Sequence, residues 1–231
     1  MTADPKRYEA DLAQSYNTLG IFYRNTRRPV ESERYYLKAI EIRERLAKTD
    51  PLRYEADLAW SYNSLANLLS DMYRISEAEE YHLKAMEIRK RLVALDAKRY
   101  EADLANSYNN LAGLYSGTQR TDEAENCYLK AIEIRMRLTE SDPKRYETDL
   151  AWSYNNLADL YYKTQHMADA EHYYLKAIEI RERLANSDPD RYEADLAVSY
   201  NNAAILYRNT MRMVEAERFF RKAFEIQGRR G

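Results

Sequence analysis

The sequence predicts an all-α protein, an α-solenoid built from five stacked pairs of helices. One tyrosine-containing phrase recurs at a constant interval, and apolar side chains within each copy recur with helical periodicity. Glycine and proline occur only five times each among 231 residues, so few positions offer the turns that separate β-strands. The hydrophobic fraction of 45% is typical of a folded chain.

The repeat is visible in the phrase Arg-Tyr-Glu, whose tyrosine returns every 46 residues. These tyrosines are Tyr8, Tyr54, Tyr100, Tyr146 and Tyr192. The constant interval predicts a single solenoid domain over residues 1–231, with copies at 4–49, 50–95, 96–141, 142–187 and 188–231. On this prediction no segment is left for a separate catalytic domain.

Each copy contains two amphipathic segments, which we name helix A and helix B. In helix A of the fourth copy the apolar positions follow helical spacing: Leu150, Tyr154, Leu157 and Tyr161. In helix B they are Ala170, Tyr173, Ala177, Ile180 and Leu184. Because one helix pair is too small to bury both apolar faces, neighbouring pairs are expected to stack.

The joins between copies carry helix-start signals. An aspartate suited to cap a helix is followed by a proline suited to its first turn, at Asp50-Pro51, Asp142-Pro143 and Asp188-Pro189. The third copy has Asp96-Ala97 instead, which predicts a weaker boundary. In the second copy we expect helix A to begin between Pro51 and Ala56, and Tyr54 to pack the connector against the neighbouring pair.

The residues of the fourth copy resemble the tetratricopeptide repeat. Aromatic, leucine and small residues stand where that family places them: Tyr154, Leu157, Ala158, Tyr161, Ala170, Tyr174 and Ala177. The period is longer than usual and the proline that closes helix B is absent. The phrases NNLA at 155–158 and AIEIR at 177–181 are similar to those of kinesin light chains and bacterial arrays. The resemblance implies a right-handed superhelix with a concave groove lined by helix A.

Some positions of helix A differ from copy to copy, and these are candidates for contact with a ligand. By resemblance they face the groove: Trp60, Asn106, Trp152, Asn67, Asp159 and Tyr162. Beside them an asparagine recurs in every copy: Asn17, Asn63, Asn109, Asn155 and Asn201. A carboxamide can pair with both the N–H and the C=O of a peptide, so a row of them suits an extended segment.

The resemblance adds two further groups to this groove. Kinesin-light-chain-like repeats use the second asparagine of NNLA to hold a peptide, which implies Asn110, Asn156 and Asn202, with Ser64 and Thr18 as weaker equivalents. They also direct the arginine of the EIR phrase toward the groove, which implies Arg43, Arg89, Arg135 and Arg181. The fifth copy has Gln227 at that position.

Structural roles for the same residues stay open at this point. The recurring asparagines would serve equally to bridge helix A to the next helix. Trp60 and Trp152 would fit as core aromatics, and the EIR arginines would fit as partners of neighbouring glutamates on an exposed face, where such pairs contribute little.

The sequence favours a non-enzymatic protein with no catalytic residue, metal site or cofactor. The few scattered glycines form no phosphate-binding loop. His82 replaces a repeat aromatic, His166 and His172 are not at a facing spacing, and Cys127 replaces a packing residue. A net charge of −2 argues against nucleic acid, and no apolar stretch suggests a membrane span.

The predicted function is therefore that of an interaction scaffold, which binds a protein or peptide segment in the groove. One cysteine and no leader-like start favour a cytoplasmic location. The alternative is a structural or self-assembling solenoid module, a fragment of a larger regulatory protein. Its last copy carries Phe219, Phe220 and Phe224 without a polar capping helix, so its ends would mediate homo-oligomerisation.

Overall fold

A computed structural model describes residues 5–230 and confirms the all-α prediction. Within that range the backbone forms ten α-helices and no strand. The helices are α1 Pro5–Asn25, α2 Pro29–Thr49, α3 Pro51–Asp71, α4 Ile75–Leu95, α5 Ala97–Gly117, α6 Thr121–Ser141, α7 Pro143–Lys163, α8 Met167–Ser187, α9 Pro189–Asn209 and α10 Met213–Arg230. Odd-numbered helices are the A helices of the five copies, and even-numbered helices are the B helices.

The helices pack as consecutive pairs within two compact units, which divide between Leu114 and Tyr115. In the first unit α1 packs on α2, α2 on α3 and α3 on α4. In the second unit the same order runs from α6 through α10. Helices inside a unit, such as α3 and α8, therefore bury one face inside their own pair and another against a neighbouring pair, as a repeat architecture requires.

A single aspartate forms each join between a B helix and the following A helix. The backbone N–H of Asp50 donates to the carbonyl oxygen of Leu46 at the end of α2. The Asp50 carboxylate accepts from the backbone N–H of Arg53 at 3.2 Å, which caps the start of α3. Helix A thus begins directly after the aspartate, at Pro51, inside the predicted window.

The third copy keeps this cap although it lacks the proline. Asp96 accepts from the backbone N–H of Arg99 at 3.2 Å, and α5 begins at Ala97. The prediction of a weaker boundary is not borne out in the backbone, because the capping carboxylate fixes the helix start by itself.

The recurring tyrosine closes the join, as predicted. Tyr54, Tyr100 and Tyr146 are buried, and the Arg53 guanidinium carbon lies 5.2 Å from the ring centroid of Tyr54. Burying an aromatic ring of this size at every join stabilises the stack by the removal of its apolar surface from water.

Small residues let the two helices of a pair approach closely. Ala158, Ala170 and Ala177 of the fourth copy are fully buried, next to buried Leu157 and Tyr154. The first copy has Gly20 where the others have alanine, and Tyr36 fills the space. A Cβ atom added at Gly20 would lie 2.5 Å from ring carbons of Tyr36.

We expect Gly20→Ala to destabilise the protein although alanine favours helix. The new methyl group overlaps the ring of Tyr36, which is 1% exposed and has no space to move. Overpacking of this kind costs about 1–3 kcal/mol, more than the helix-propensity gain of about 1 kcal/mol. Urea unfolding followed by circular dichroism measures the net loss.

Gly117→Ala is the matched control, because no atom lies within 4 Å of a Cβ built at Gly117. It should leave stability unchanged or raise it by about 0.5 kcal/mol. A Gly20→Ala protein as stable as the Gly117→Ala protein would refute the close approach of Tyr36.

Candidate functional site

The four EIR arginines lie inside the joints between copies. Arg43, Arg89, Arg135 and Arg181 are all buried. Arg43 Nη1 donates to Ser61 Oγ at 2.5 Å and to the carbonyl oxygen of Asp57 at 3.1 Å, both on the following A helix. This differs from both sequence interpretations, since the guanidinium group neither reaches an open surface nor pairs with a glutamate.

The same joint recurs in both compact units. Arg89 Nη1 donates to Ser107 Oγ at 2.6 Å. Arg181 Nη1 donates to Ser199 Oγ and, at 3.0 Å, to the carbonyl oxygen of Asp195. Burial lowers the pKa of Arg181, and the carboxylates of Asp195 and Asp159 oppose that shift.

The serines that accept these hydrogen bonds were not among the residues predicted from the sequence. Ser61, Ser107, Ser153 and Ser199 are all buried, and each directly precedes the aromatic residue of helix A. The available signal was their recurrence every 46 residues, because a small polar side chain that never varies in a buried stripe implies a fixed hydrogen-bond partner.

Two tryptophans lie over these buried cations. The Arg181 guanidinium carbon lies 5.0 Å from the ring of Trp152, and that of Arg43 lies 5.4 Å from the ring of Trp60. Trp152 is 43% exposed and Trp60 is half-buried. One ring face therefore interacts with a cation while part of the side chain stays open to solvent, which differs from the core-aromatic interpretation.

Helix A of the same copy places a side chain beside the arginine, and this side chain differs between copies. In the first copy Gln14 Oε1 accepts from Arg43 Nη2 at 2.7 Å. In the fourth copy Trp152 occupies the equivalent position and offers no acceptor. Among the described residues, Arg181 Nη2 has no hydrogen-bond partner, although it is buried. This unpaired donor is an energetic cost of the fourth joint that Gln14 removes from the first joint.

The asparagines join consecutive A helices. Asn63 Oδ1 accepts from Asn110 Nδ2 at 3.0 Å, and Asn155 Oδ1 accepts from Asn202 Nδ2 at 3.2 Å. The first asparagine of a copy thus binds the second asparagine of the next copy. This arrangement matches the bridging alternative, and it uses only part of the hydrogen-bonding capacity of the second carboxamide.

Burial separates the recurring asparagines into two groups. Asn17 and Asn155 are buried, and Asn17 Oδ1 accepts from Ser61 Oγ at 3.0 Å. The other asparagines of the two series are half-buried: Asn63, Asn109, Asn201, Asn110, Asn156 and Asn202. The half-buried members are the ones that a ligand can contact without opening the joint.

The remaining predicted residues lie on the same A helices and are half-buried: Asn67, Asn106, Asp159 and Tyr162. Asp159 accepts from the hydroxyl of Tyr174 at 2.5 Å and from Asn155 Nδ2 at 3.3 Å. Burial raises the pKa of Asp159, whereas the Tyr174 hydrogen bond opposes that shift. Tyr162 accepts a hydrogen bond from Asn209 Nδ2 through its hydroxyl oxygen.

His82 stands where the fourth copy has Tyr174, and it has the predicted packing position. It is buried, and its Nδ1 lies 3.0 Å from Asn63 Oδ1, so that Nδ1 carries a proton and donates to the amide oxygen. Burial, followed by the charge of Arg89, lowers the pKa of His82 to about 4.

Two open pockets lie away from the predicted groove residues. In the first unit a pocket of 540 Å³ between α2, α3 and α4 is lined by Glu44, Tyr62 and Lys84, among others. Its repeat equivalent in the second unit contains Glu182, Tyr200 and Lys222. The described residues contain no group of three His, Cys, Asp or Glu side chains arranged for a metal ion.

No described helix is both long and apolar enough to cross a membrane.

The model of one family matches most of the chain. Its description is tetratricopeptide repeat, and it matches residues 11–91, 57–137 and 103–183, with a second model of the same description over residues 196–229. No curated protein matches the sequence significantly.

Solved structures share the fold. BtubC (BKLC) from P. vanneervenii is similar with a TM-score of 0.77 and 24% identity, over 95% of this chain and 81% of that one. The putative kinesin light chain repeats of Podosopora anserina have a TM-score of 0.65 and 18% identity, over 96% of this chain and 97% of that one. Aspartyl phosphate phosphatase F from Bacillus subtilis has a TM-score of 0.64 and 15% identity, over 95% and 60%.

We expect acid to destabilise the protein through His82. An unfolded histidine protonates near pH 6.5, and folded His82 near pH 4. The stability that this depressed pKa provides is present above pH 6.5 and is lost as the pH falls toward 4. The loss between pH 7 and pH 5 amounts to about 2 kcal/mol, measured by urea unfolding at each pH.

His82→Phe, which places there the residue found at Phe220, should remove that step in the pH profile. Replacement of the exposed His172 by phenylalanine should leave the step in place. An unchanged profile in the His82→Phe protein would contradict the assignment.

Arg135→Met should lower the free energy of unfolding by about 2–4 kcal/mol. The substitution leaves Ser153 Oγ and the carbonyl oxygen of Asp149 without the donor that they share in the joint. Arg137→Met, two residues further along α6, removes an exposed guanidinium group that pairs with Glu133 and should change stability by less than about 1 kcal/mol. Equal losses in the free energy of unfolding for the two substitutions would contradict the stabilising role of the buried Arg135 hydrogen bonds.

Proposed function

Because the chain belongs to the tetratricopeptide repeat family, we propose that it is a non-enzymatic protein–protein interaction scaffold. Repeats of this fold are general interaction scaffolds, and their ligands are set by the exposed side chains and not by the fold. The proposed ligand is an extended segment of a partner protein, bound along the A helices in the groove of the predicted right-handed superhelix. The proposed location is the cytoplasm.

The observation that carries the proposal is the exposed Trp152 stacked on the buried Arg181. An indole ring that stacks on a guanidinium group is already ordered, so little side-chain entropy is lost when a ligand covers it. Tryptophan and arginine are also the residues that contribute most to binding at protein interfaces. In the first unit the half-buried Trp60 stacks instead on Arg43 of the preceding copy, which gives a second indole–guanidinium contact with a different pairing.

Half-buried carboxamides supply the hydrogen bonds that an extended main chain requires. Asn202 donates through Nδ2 to Asn155, which holds its side chain in one orientation. Its Oδ1 makes no hydrogen bond among the described residues, so it can accept from a ligand N–H. Asn110 is placed in the same way by Asn63 in the first unit.

The charges favour a ligand that is recognised by its main chain and apolar side chains. The arginines are enclosed by their serine partners, so they do not form an open basic patch for an acidic tail. The unpartnered Nη2 of Arg181 is buried, so it is not open to an acidic group of a ligand.

The test is selection from a random peptide display library on the immobilised chain, followed by binding titrations with the selected peptides. Trp152→Ala should weaken binding at least tenfold, since loss of a central aromatic contact costs about 2 kcal/mol or more. Its melting temperature should stay near that of the unchanged protein, because Trp152 lies at the surface.

Leu175→Ala is the matched control, since Leu175 is 39% exposed and belongs to a B helix. It should leave affinity unchanged. Failure to select any peptide, or equal losses of peptide affinity for the two substitutions, would refute peptide binding in the groove. A large drop in melting temperature for Trp152→Ala would instead assign that residue to the core.

A further inference from the structure

The open pocket between α2, α3 and α4 combines an apolar floor with charged walls. Its floor is formed by Ala47 of α2, Leu58 of α3 and Ile88 of α4, and all three are buried. Its charged residues are Glu44, Lys48, Glu55, Lys84, Glu87 and Arg91. The volume of 540 Å³ falls within the range of about 300–1,000 Å³ that is common for sites of small organic ligands.

The same pocket recurs in the second unit, between α8, α9 and α10. Its volume is 290 Å³. The floor residues are the repeat equivalents of those in the first unit: Ala185, Leu196 and Ile226. The two pockets therefore offer the same chemistry at two places within one chain.

Two lining positions differ between the joints of the chain. Successive copies hold at the first position Ala47, Val93, Thr139 and Ala185. At the second position they hold Glu44, Lys90, Met136 and Glu182. Both joints with this pocket combine alanine with glutamate, although the fold accepts larger and oppositely charged side chains at the same positions. Packing alone does not require this combination.

The alanine keeps the floor of the pocket open. Thr139 occupies the equivalent position in the joint between α6 and α7, and its Oγ1 atom is buried. A side chain larger than alanine therefore takes up space inside the joint at this position.

Two of the three cations in the first pocket already have carboxylate partners. Arg91 binds Glu55 at 2.8 Å, and Lys84 binds Glu80 at 2.6 Å. The positive charge of these two groups is largely compensated, so they attract an anionic ligand only weakly.

Two carboxylates of the first pocket lack such a partner. Among the described residues Glu44 and Glu87 form no ion pair, and against them stands one unpaired cation of the lining, Lys48. The Glu44 carboxylate accepts from the hydroxyl of Tyr62 at 2.6 Å, which holds it at the pocket wall. Burial and this hydrogen bond raise the pKa of Tyr62, so the hydroxyl keeps its proton and stays a donor. The unpaired groups leave a net negative charge.

The second pocket has the same sign of charge. Its cations are paired, Arg229 with Glu193 at 2.6 Å and Lys222 with Glu182 at 2.9 Å. Glu225 forms no ion pair among the described residues, and the neutral Asn186 stands where the first pocket has a lysine. Both pockets therefore favour a cation.

We propose that each pocket binds a small organic cation, an ammonium group carried on an aliphatic chain. In the first pocket the chain lies on Ala47, Leu58 and Ile88, where its apolar surface is removed from water. The ammonium group binds the unpaired carboxylates of Glu44 and Glu87. The pockets share no residue with the groove, so the inference stands independently of the proposed function.

Titration of the isotope-labelled chain with hexylamine, followed by NMR, tests the proposal. Saturable shifts are expected for amide groups around both pockets, with a dissociation constant of about 1 mM. Hexanol has the same chain without the charge and should bind at least about tenfold more weakly. Hexanoate, which brings a like charge to the carboxylates, should give no saturable shift.

Ala47→Val should abolish hexylamine binding at the first pocket, because the larger side chain fills the floor. The fold accepts valine at this position, since Val93 is its repeat equivalent. The second pocket keeps Ala185 and should bind hexylamine as before. Its resonances show in the same sample that the variant is folded.

Glu87→Gln should weaken hexylamine binding at the first pocket at least about threefold, because it removes an unpaired carboxylate. Glu41→Gln is the matched control, since Glu41 is the equivalent exposed residue one copy earlier and does not line the pocket. It should leave the affinity unchanged. An absence of saturable shifts with hexylamine, equal binding of hexanoate, or first-pocket binding that survives Ala47→Val would each overturn the proposal.

Discussion

The buried hydrogen bonds from an arginine of helix B to a serine and a carbonyl oxygen of the next helix A are the contact on which the repeat stack depends. A guanidinium group removed from water needs acceptors for its N–H groups, and Nη1 finds them only when the two helices meet at one axial offset. Arg43 with Ser61, and Arg181 with Ser199, show this same offset in the two compact units. Apolar packing alone specifies such an offset less strictly.

The joint also explains why some polar residues never change between copies while their neighbours do. Arginine, serine and asparagine recur because each interface between copies is the same contact, made in Asn63 with Asn110 and in Asn155 with Asn202. Positions above the joint vary from copy to copy, so that Trp152, Asn106 and Gln14 stand at equivalent places. The variable residues rest on a constant polar layer, and this layer holds the exposed indole of Trp152 in place.

The sequence by itself determined the number of copies, the two helices in each and the aspartate at every join. Those features follow from local pattern: a helical period of apolar residues, a capping side chain and a constant interval of 46 residues. Only the tertiary structure decided that Arg181 lies beneath Trp152 and donates to Ser199, and that Asn202 binds Asn155. These partners belong to different helices. Which of them meet depends on how far one helix is displaced along another, and close packing of side chains from several elements sets that distance.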